Sequence, residues 1–324
     1  PHFYSATSSA ALFDRRLQIQ GKNGNNSVTV TSAGSLTVSA PTSSSNLYTR
    51  LTAADDSWIR VSGSFTVNAD NGTNNTAILD CDPDDDDCTW YGVYTESGGD
   101  IDFNGDDGDQ RITISKAVGR DGYACMHHLG GNDLNTGKLQ VNGTRFVGCT
   151  NIGVYLAGQG ISVSYTYMSD PISVEHCVFD GAMTAVEIAD MKTSPLDLNI
   201  SNNSISNYGS DASTSRHAVY VHDSDIGGIP YIQFNTIQGA DMTDGSPYVY
   251  IYGIYLYNVI YGSGDQINIY SNTISNDVRN GMYIGKFWGR TNGRGYNKCD
   301  LYLSNNTVDG AVRYGININR STDG

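Results

Sequence analysis

The chain has 324 residues and carries 34 Asp and Glu against 19 Lys and Arg, a formal net charge of −15. That balance excludes nucleic acid as a partner, because phosphate backbones are bound by basic surfaces. No apolar run approaches the roughly 18 residues of a membrane-spanning helix, so no membrane insertion is expected. Glu occurs only at Glu96, Glu175 and Glu187. Few Glu and Lys beside abundant Asn, Asp, Gly, Ser and Thr describe strands and turns rather than helices.

Residues 1–22 differ in character from the rest of the chain. SSAALFDRRLQIQ offers apolar Leu12, Phe13, Leu17 and Ile19, which suit a cap or docking segment, as a short helix or a strand. Residues 23–138 read as irregular first coils, with SLTVSA, WIRVSGSFTVNA and QRITIS as their strands. Within them, 81–110 forms an acidic insertion.

From 139 to 324 the chain becomes regular. Six opening blocks recur: LQVNGTRFVG (139–148), ISVEHCVFDG (172–181), LNISNNSISN (198–207), PYIQFNTIQG (230–239), INIYSNTISN (267–276) and LYLSNNTVDG (301–310). Each is followed by a closing block, GVYLAG, AVEIAD, AVYVHD, GIYLYN, GMYIGK and GININR. The period lies within the roughly 20–50 residues that mark a solenoid of stacked coils. The eighth opening position is always large and apolar: Phe146, Phe179, Ile205, Ile237, Ile274 and Val308. The tenth is Gly148, Gly181, Asn207, Gly239, Asn276 and Gly310, residues that tolerate positive φ. In the closing blocks, Val154 and Leu156 and their five counterpart pairs alternate with outward residues. No single coil buries its apolar face, so equal columns must stack into a parallel sheet wound as a tube.

The sixth opening position holds Thr144, Cys177, Asn203, Asn235, Asn272 and Asn306, a column suited to an amide ladder between coils. This combination over 139–320 resembles the right-handed parallel β-helix superfamily, whose best-known members are pectate-lyase-like proteins. The resemblance implies an all-β, right-handed parallel β-helix in one continuous domain with three faces and an irregular N-terminal third. Lyases of that kind use a basic residue beside a calcium cluster on the face formed here by the closing strands. In the closing blocks no Arg or Lys occurs until Lys286 and Arg320, so that site does not carry over.

Candidate chemistry is local. In DIDFNGDDGD, Asp100, Asp102, Asn104, Asp106 and Asp109 alternate as hard oxygen donors around Gly105, resembling the first half of a calcium loop. Arg111 stands where the bidentate Glu of an EF-hand belongs. Asp82, Asp84, Asp85, Asp86 and Asp87 form a second calcium candidate, bracketed by Cys81 and Cys88 as the expected disulfide. Cys125 and Cys149 are a further pair, set to staple neighbouring coils, while Cys177 reads as a buried thiol. His127 and His128 read as surface residues.

The outward face of the closing strands carries Tyr155, Tyr220, Tyr255, Tyr257 and Tyr283, as a stack, a subunit contact or a glycan platform. Glu187, Asp190, His222 and Asp223 are its dense polar neighbourhood and the catalytic candidates of an enzyme reading. Sequons at Asn25, Asn71, Asn74, Asn142, Asn199, Asn202, Asn305 and Asn319 are glycosylation candidates.

An even number of Cys and a start at Pro1 fit an exported, processed protein. GININR ends on a closing strand, so open coil ends are expected to dock copies head-to-tail, which generates filaments. The expected role is an extracellular or cell-surface structural or adhesive protein, assembling with copies of itself. The alternatives are a secreted polysaccharide lyase or glycoside hydrolase, and a glycan-binding module with polysaccharide as partner.

Overall fold

A strand that must turn sharply at both ends, and must do so in every coil, needs bends that use left-handed backbone. The computed structural model describes residues 15–19, 27–30, 34–42, 48–53, 55–70, 74–81, 88–95, 99–106, 109–118, 124–129, 137–149, 151–157, 172–191, 198–208, 216–226, 228–239, 251–261, 266–276, 278–289, 300–311 and 313–319. They are all-β. Three parallel sheets of ten, ten and nine strands wrap one β-solenoid. The first sheet runs from Arg15–Ile19 to Thr307–Val308, the second from Ser27–Val30 to Tyr314–Asn319, and the third from Ser35–Ser39 to Asp300–Ser304.

Each opening block is two strands, not one. Leu139–Asn142 lies in the third sheet and Thr144–Val147 in the first. Between them Gly143 takes φ 58°, and His176, Asn202, Phe234, Ser271 and Asn305 repeat that conformation between 52° and 56° in later coils. The bend demands left-handed backbone so strictly that even a bulky Phe accepts it. At the bend into the second sheet Gly148, Gly181, Asn207, Asn276 and Gly310 have the expected positive φ, joined upstream by Lys116. Gly239 differs. It has no positive φ, and it is small for space, because a Cβ there would lie 2.7 Å from the Asn276 carbonyl oxygen.

The inward columns stack in register. Phe146, Phe179, Ile205, Ile237, Ile274 and Val308 pair in sequence along the first sheet. Phe146 and Phe179 stack face to face at 4.6 Å. In the second sheet Val154, Val186, Val219, Ile254 and Met282 form one buried column. The N-terminal coils follow the same pattern, with Ile59, Val61, Phe65 and Val67 fully buried. The strand Arg15–Ile19 is paired with Tyr48–Ala53, so the segment before residue 22 contributes a coil strand.

The asparagine column is a ladder inside the core. Asn203 donates through Nδ2 to Asn235 Oδ1 at 2.9 Å, Asn235 likewise to Asn272 at 2.9 Å, and Asn272 to Asn306 at 3.0 Å. The backbone amide of each Asn also donates to the next Oδ1, at 3.0–3.1 Å. The second Nδ2 hydrogen reaches a main-chain carbonyl, Ile200 O in the case of Asn235 at 2.9 Å. Cys177 caps one end, its backbone amide donating to Asn203 Oδ1 at 2.9 Å. Every polar atom of the interior Asn235 is therefore satisfied.

Asn235→Ala strands several buried donors and acceptors at once, and is expected to lower unfolding free energy by about 3 kcal/mol or more. Asn306→Ala, at the half-buried end of the ladder, is expected to cost about 1 kcal/mol. Denaturant midpoints of the two variants check this ordering.

Candidate functional site

Two outward faces carry chemistry. On the second sheet the register aligns Tyr155, Glu187, Tyr220, Tyr255 and Tyr283 into one column. Tyr94 and His127 extend it upstream. Beside it stand His217 and Tyr252 on one flank, His222 and Tyr257 on the other. At the next position Asp190, Asp223, Asn258 and Lys286 all take φ between 48° and 55°, marking the third bend of the coil.

The rings are closed on one another. Tyr220 stacks on His217 at 4.2 Å, on His222 at 4.1 Å and on Tyr255 at 5.1 Å, with interplanar angles of 24°, 20° and 29°. Tyr252 stacks on Tyr255 at 4.6 Å, and Tyr283 tilts against Tyr255 at 4.8 Å. Lys286 places its Nζ 5.2 Å from the Tyr257 ring centre. A sugar stacks on a free ring face. Here Tyr220, Tyr252 and Tyr255 turn ring faces to neighbouring rings, a ladder along the column. Burial, with Glu187 and Asp223 nearby, raises the Tyr220 phenol well above its ordinary range.

Of the predicted acid cluster, the structure unites three members. His222 Nε2 lies 3.3 Å from Glu187 Oε1, and its Nδ1 lies 3.0 Å from Asp223 Oδ2. Asn258 Nδ2 donates to the other Asp223 oxygen. Burial alone would lower the His222 pKa, but hydrogen bonds to Glu187 and Asp223 outweigh it and hold the pKa above its usual value. For Asp223, donation from Asn258 and His222 overcomes burial and depresses the carboxyl pKa. The result is one imidazole set between two carboxyl groups that favour its protonated form. Asp190 joins through its main chain only, its amide donating to the His222 carbonyl at 3.3 Å, and its side chain is exposed.

Sequence reasoning placed His127 and His128 on the surface; the structure corrects this. His128 is fully buried, with Nδ1 3.0 Å from Thr95 Oγ1, and His127 packs between Tyr94 and Tyr155. An inward and an outward strand position side by side explain the pair.

The second face is a groove of about 850 Å³ on the outside of the third sheet. Gln140, Ser173, Asn199 and Tyr231 form one outward column, with Asn142, Glu175 and Gln233 in the other. Asp102 is paired to Lys138 Nζ at 3.0 Å. Glu175 accepts from the hydroxyls of Ser173 and Ser201. His176 Nδ1 meets Asn142 Oδ1 at 3.1 Å. This site was missed from sequence, although its signal was present: the outward positions of the opening blocks are consistently amide, acid or Tyr.

The expected calcium residues at 100–109 do not converge. Asp100–Asn104 is a strand, so its alternate side chains lie in a row rather than around a bend. Asp100 Oδ1 accepts from the Lys138 amide at 2.7 Å, and Arg111 NH2 reaches Asp106 at 3.3 Å and Asp109 at 2.8 Å. Among the described residues no group of three or more His, Cys, Asp or Glu is arranged to hold a metal ion. Asp82, Asp84, Asp85, Asp86 and Asp87 lie outside the described residues.

Cys81 and Cys88 form a disulfide with a Cα–Cα distance of 5.8 Å. Cys125 and Cys149, expected as a second staple, are free buried thiols, as is Cys177. Burial pushes the Cys177 thiol up to about 12. Among the sequons, Asn74, Asn202, Asn305 and Asn319 are exposed, and Asn142 and Asn199 line the groove. Asn25 and Asn71 lie outside the described residues.

Comparison with protein-family models, curated proteins and solved structures finds no match.

Burial lowers His127 and His128 to about 4 and His217 to about 3, so these rings fold neutral and take up protons on unfolding. Their stabilisation is present above pH 6.5, the ordinary histidine value, and is lost as pH falls toward 4. His222 runs the other way. Its raised pKa gives stabilisation that is full below pH 6.5 and lost as pH rises through its folded value. Denaturant midpoints measured across this range are expected to fall on acidification, and His222→Gln is expected to remove only the loss on the alkaline side.

Proposed function

We propose that this chain is an extracellular structural or adhesive β-solenoid rather than an enzyme. One observation carries the reading: the polar cluster on the second sheet is satisfied within itself. A glycosidase needs one carboxyl group that gives a proton and one that attacks or activates water. Here both carboxyl groups are engaged by the same His222, and the adjoining rings are stacked on each other. The Cys81–Cys88 disulfide and the exposed sequons support an exported location.

The reading keeps the likeness to the pectate-lyase-like superfamily, which rests on the parallel coils and the asparagine ladder, without its chemistry. It also keeps association of copies end to end. In the last described coil Ile316 is 45% and Ile318 50% exposed, while their counterparts Met282 and Ile284 are fully buried. That coil edge accepts a further parallel coil, from this chain or another copy.

The rival reading, a secreted polysaccharide lyase or hydrolase, draws on His222, whose pKa is raised by its carboxyl neighbours and which lies half-buried beside the tyrosines. Incubation with a panel of polysaccharides, read by reducing ends and unsaturated products, separates the two. No turnover is expected, and Glu187→Gln should lower thermal stability while leaving product formation at background. Turnover that Glu187→Gln abolishes without unfolding would sink the structural reading. Negative-stain electron microscopy at dilute concentration is expected to show rods joined end to end; isolated short rods remove the assembly.

A further inference from the structure

The two outward faces differ in what they leave unused. On the second sheet every tyrosine of the central column is in contact with another ring, and Glu187, His222 and Asp223 are paired with one another. On the third sheet Tyr231 has no ring partner among the described residues, and Tyr270 meets only Phe234, edge to face at 5.2 Å. Two groove oxygens, Asn199 Oδ1 and Gln233 Oε1, lack any hydrogen-bond partner. Buried acceptors of that kind carry a cost until a donor meets them. Rotation of either amide presents a donor or an acceptor to the groove.

Its charges point to a class of ligand. Lys138 is already paired with Asp102. Glu175 accepts from serine hydroxyls and has no cationic partner among the described residues. The whole chain carries a net −15. Nothing here would attract a polyanion, and Glu175 would repel one.

Its dimensions point to a shape. Six consecutive strands line it, from Asp100–Asn104 to Gln266–Tyr270. At about 4.8 Å per coil, five intervals span roughly 24 Å. One coil rise is close to the length of one sugar residue in an extended glycan. An extended chain lying along the solenoid axis therefore meets an equivalent strand position at each sugar.

From unpaired amides, unstacked tyrosines, residual negative charge and axial periodicity, we infer that the third-sheet groove binds an uncharged, extended polysaccharide parallel to the solenoid axis. Tyr231 and Tyr270 offer ring faces to the sugar, and Gln233 and Asn199 exchange hydrogen bonds with its hydroxyls. This gives a surface to the adhesive part of the proposed function and rests on that reading. Asn142 and Asn199 head sequons inside the groove, so glycosylation at either would block it.

The test is affinity electrophoresis of the full chain in gels containing soluble β-glucan, galactomannan, arabinoxylan or polygalacturonate, with reducing ends measured in parallel. Retardation by at least one neutral polymer and none by polygalacturonate is expected. The Tyr231→Ala, Tyr270→Ala double variant should weaken retardation roughly tenfold or more with an unchanged melting temperature. Gln233→Ala serves as a second, milder variant and should weaken it in the same direction. Failure of every neutral polymer to retard the protein overturns the groove while leaving the non-catalytic reading intact. Retardation by polygalacturonate overturns the uncharged class. Retardation lost on Tyr220→Ala but kept in both groove variants overturns the placement. Reducing ends released from a retarding polymer, with retardation still dependent on Tyr231 and Tyr270, support the groove and overturn the proposed function instead.

Discussion

The structure depends on one constraint: a polar side chain that turns into the core at a bend must find all its partners there. Asn235 meets it by donating to Ile200 O and Asn272 Oδ1 while accepting from the amide and side chain of Asn203. Because each coil supplies the partner for the previous one, the satisfaction of one Asn presupposes the next. Register is thereby fixed. A coil shifted by one residue would bury an unpaired amide and move a whole apolar column to solvent.

With register fixed, the outward faces become repeating columns whose chemistry is set coil by coil. The second sheet uses this to build a ladder of rings, Tyr94, His127, Tyr155 and then Tyr220, Tyr255 and Tyr283, interrupted at Glu187. The interruption is where charge enters. Glu187 pairs with His222 on the next coil, and His222 in turn with Asp223. An isolated carboxylate among half-buried tyrosines would be expensive; its contact with the His222 ring offsets it. The third sheet distributes amides and two tyrosines more loosely, and the groove results.

Left-handed residues at three bends do a second job. From Leu139 onward the chain turns within one or two residues between the third and first sheets, so that strands of two to six residues suffice on those two sheets. The left-handed residues also place Asp223, Asn258 and Lys286 in one line at the rim of the second sheet, beside His222 and Tyr257. The line of alternate acid, amide and amine is thus a by-product of bend geometry, and the acid and amide are in hydrogen-bond contact there.

By itself the sequence determined the coil columns. Phe146 to Val308, the closing-strand pairs and the asparagine column were legible because stacking repeats the same physical demand in every coil, and repetition is visible in a string. The Cys81–Cys88 closure was legible because it is local. Tertiary structure decided the rest. DIDFN looked like a loop of ligands until its pairing made it a strand, with Lys138 and Arg111 drawn in from elsewhere. Whether the tyrosine column was a stack, a subunit contact or a platform stayed open in the sequence, because ring orientation depends on neighbours about a coil away; Tyr220 and Tyr252 both stack on Tyr255. The groove on the third sheet emerged for the same reason. Its residues are ordinary one by one, and only the register of six coils lays Glu175, Asn199, Tyr231 and Gln233 on one surface.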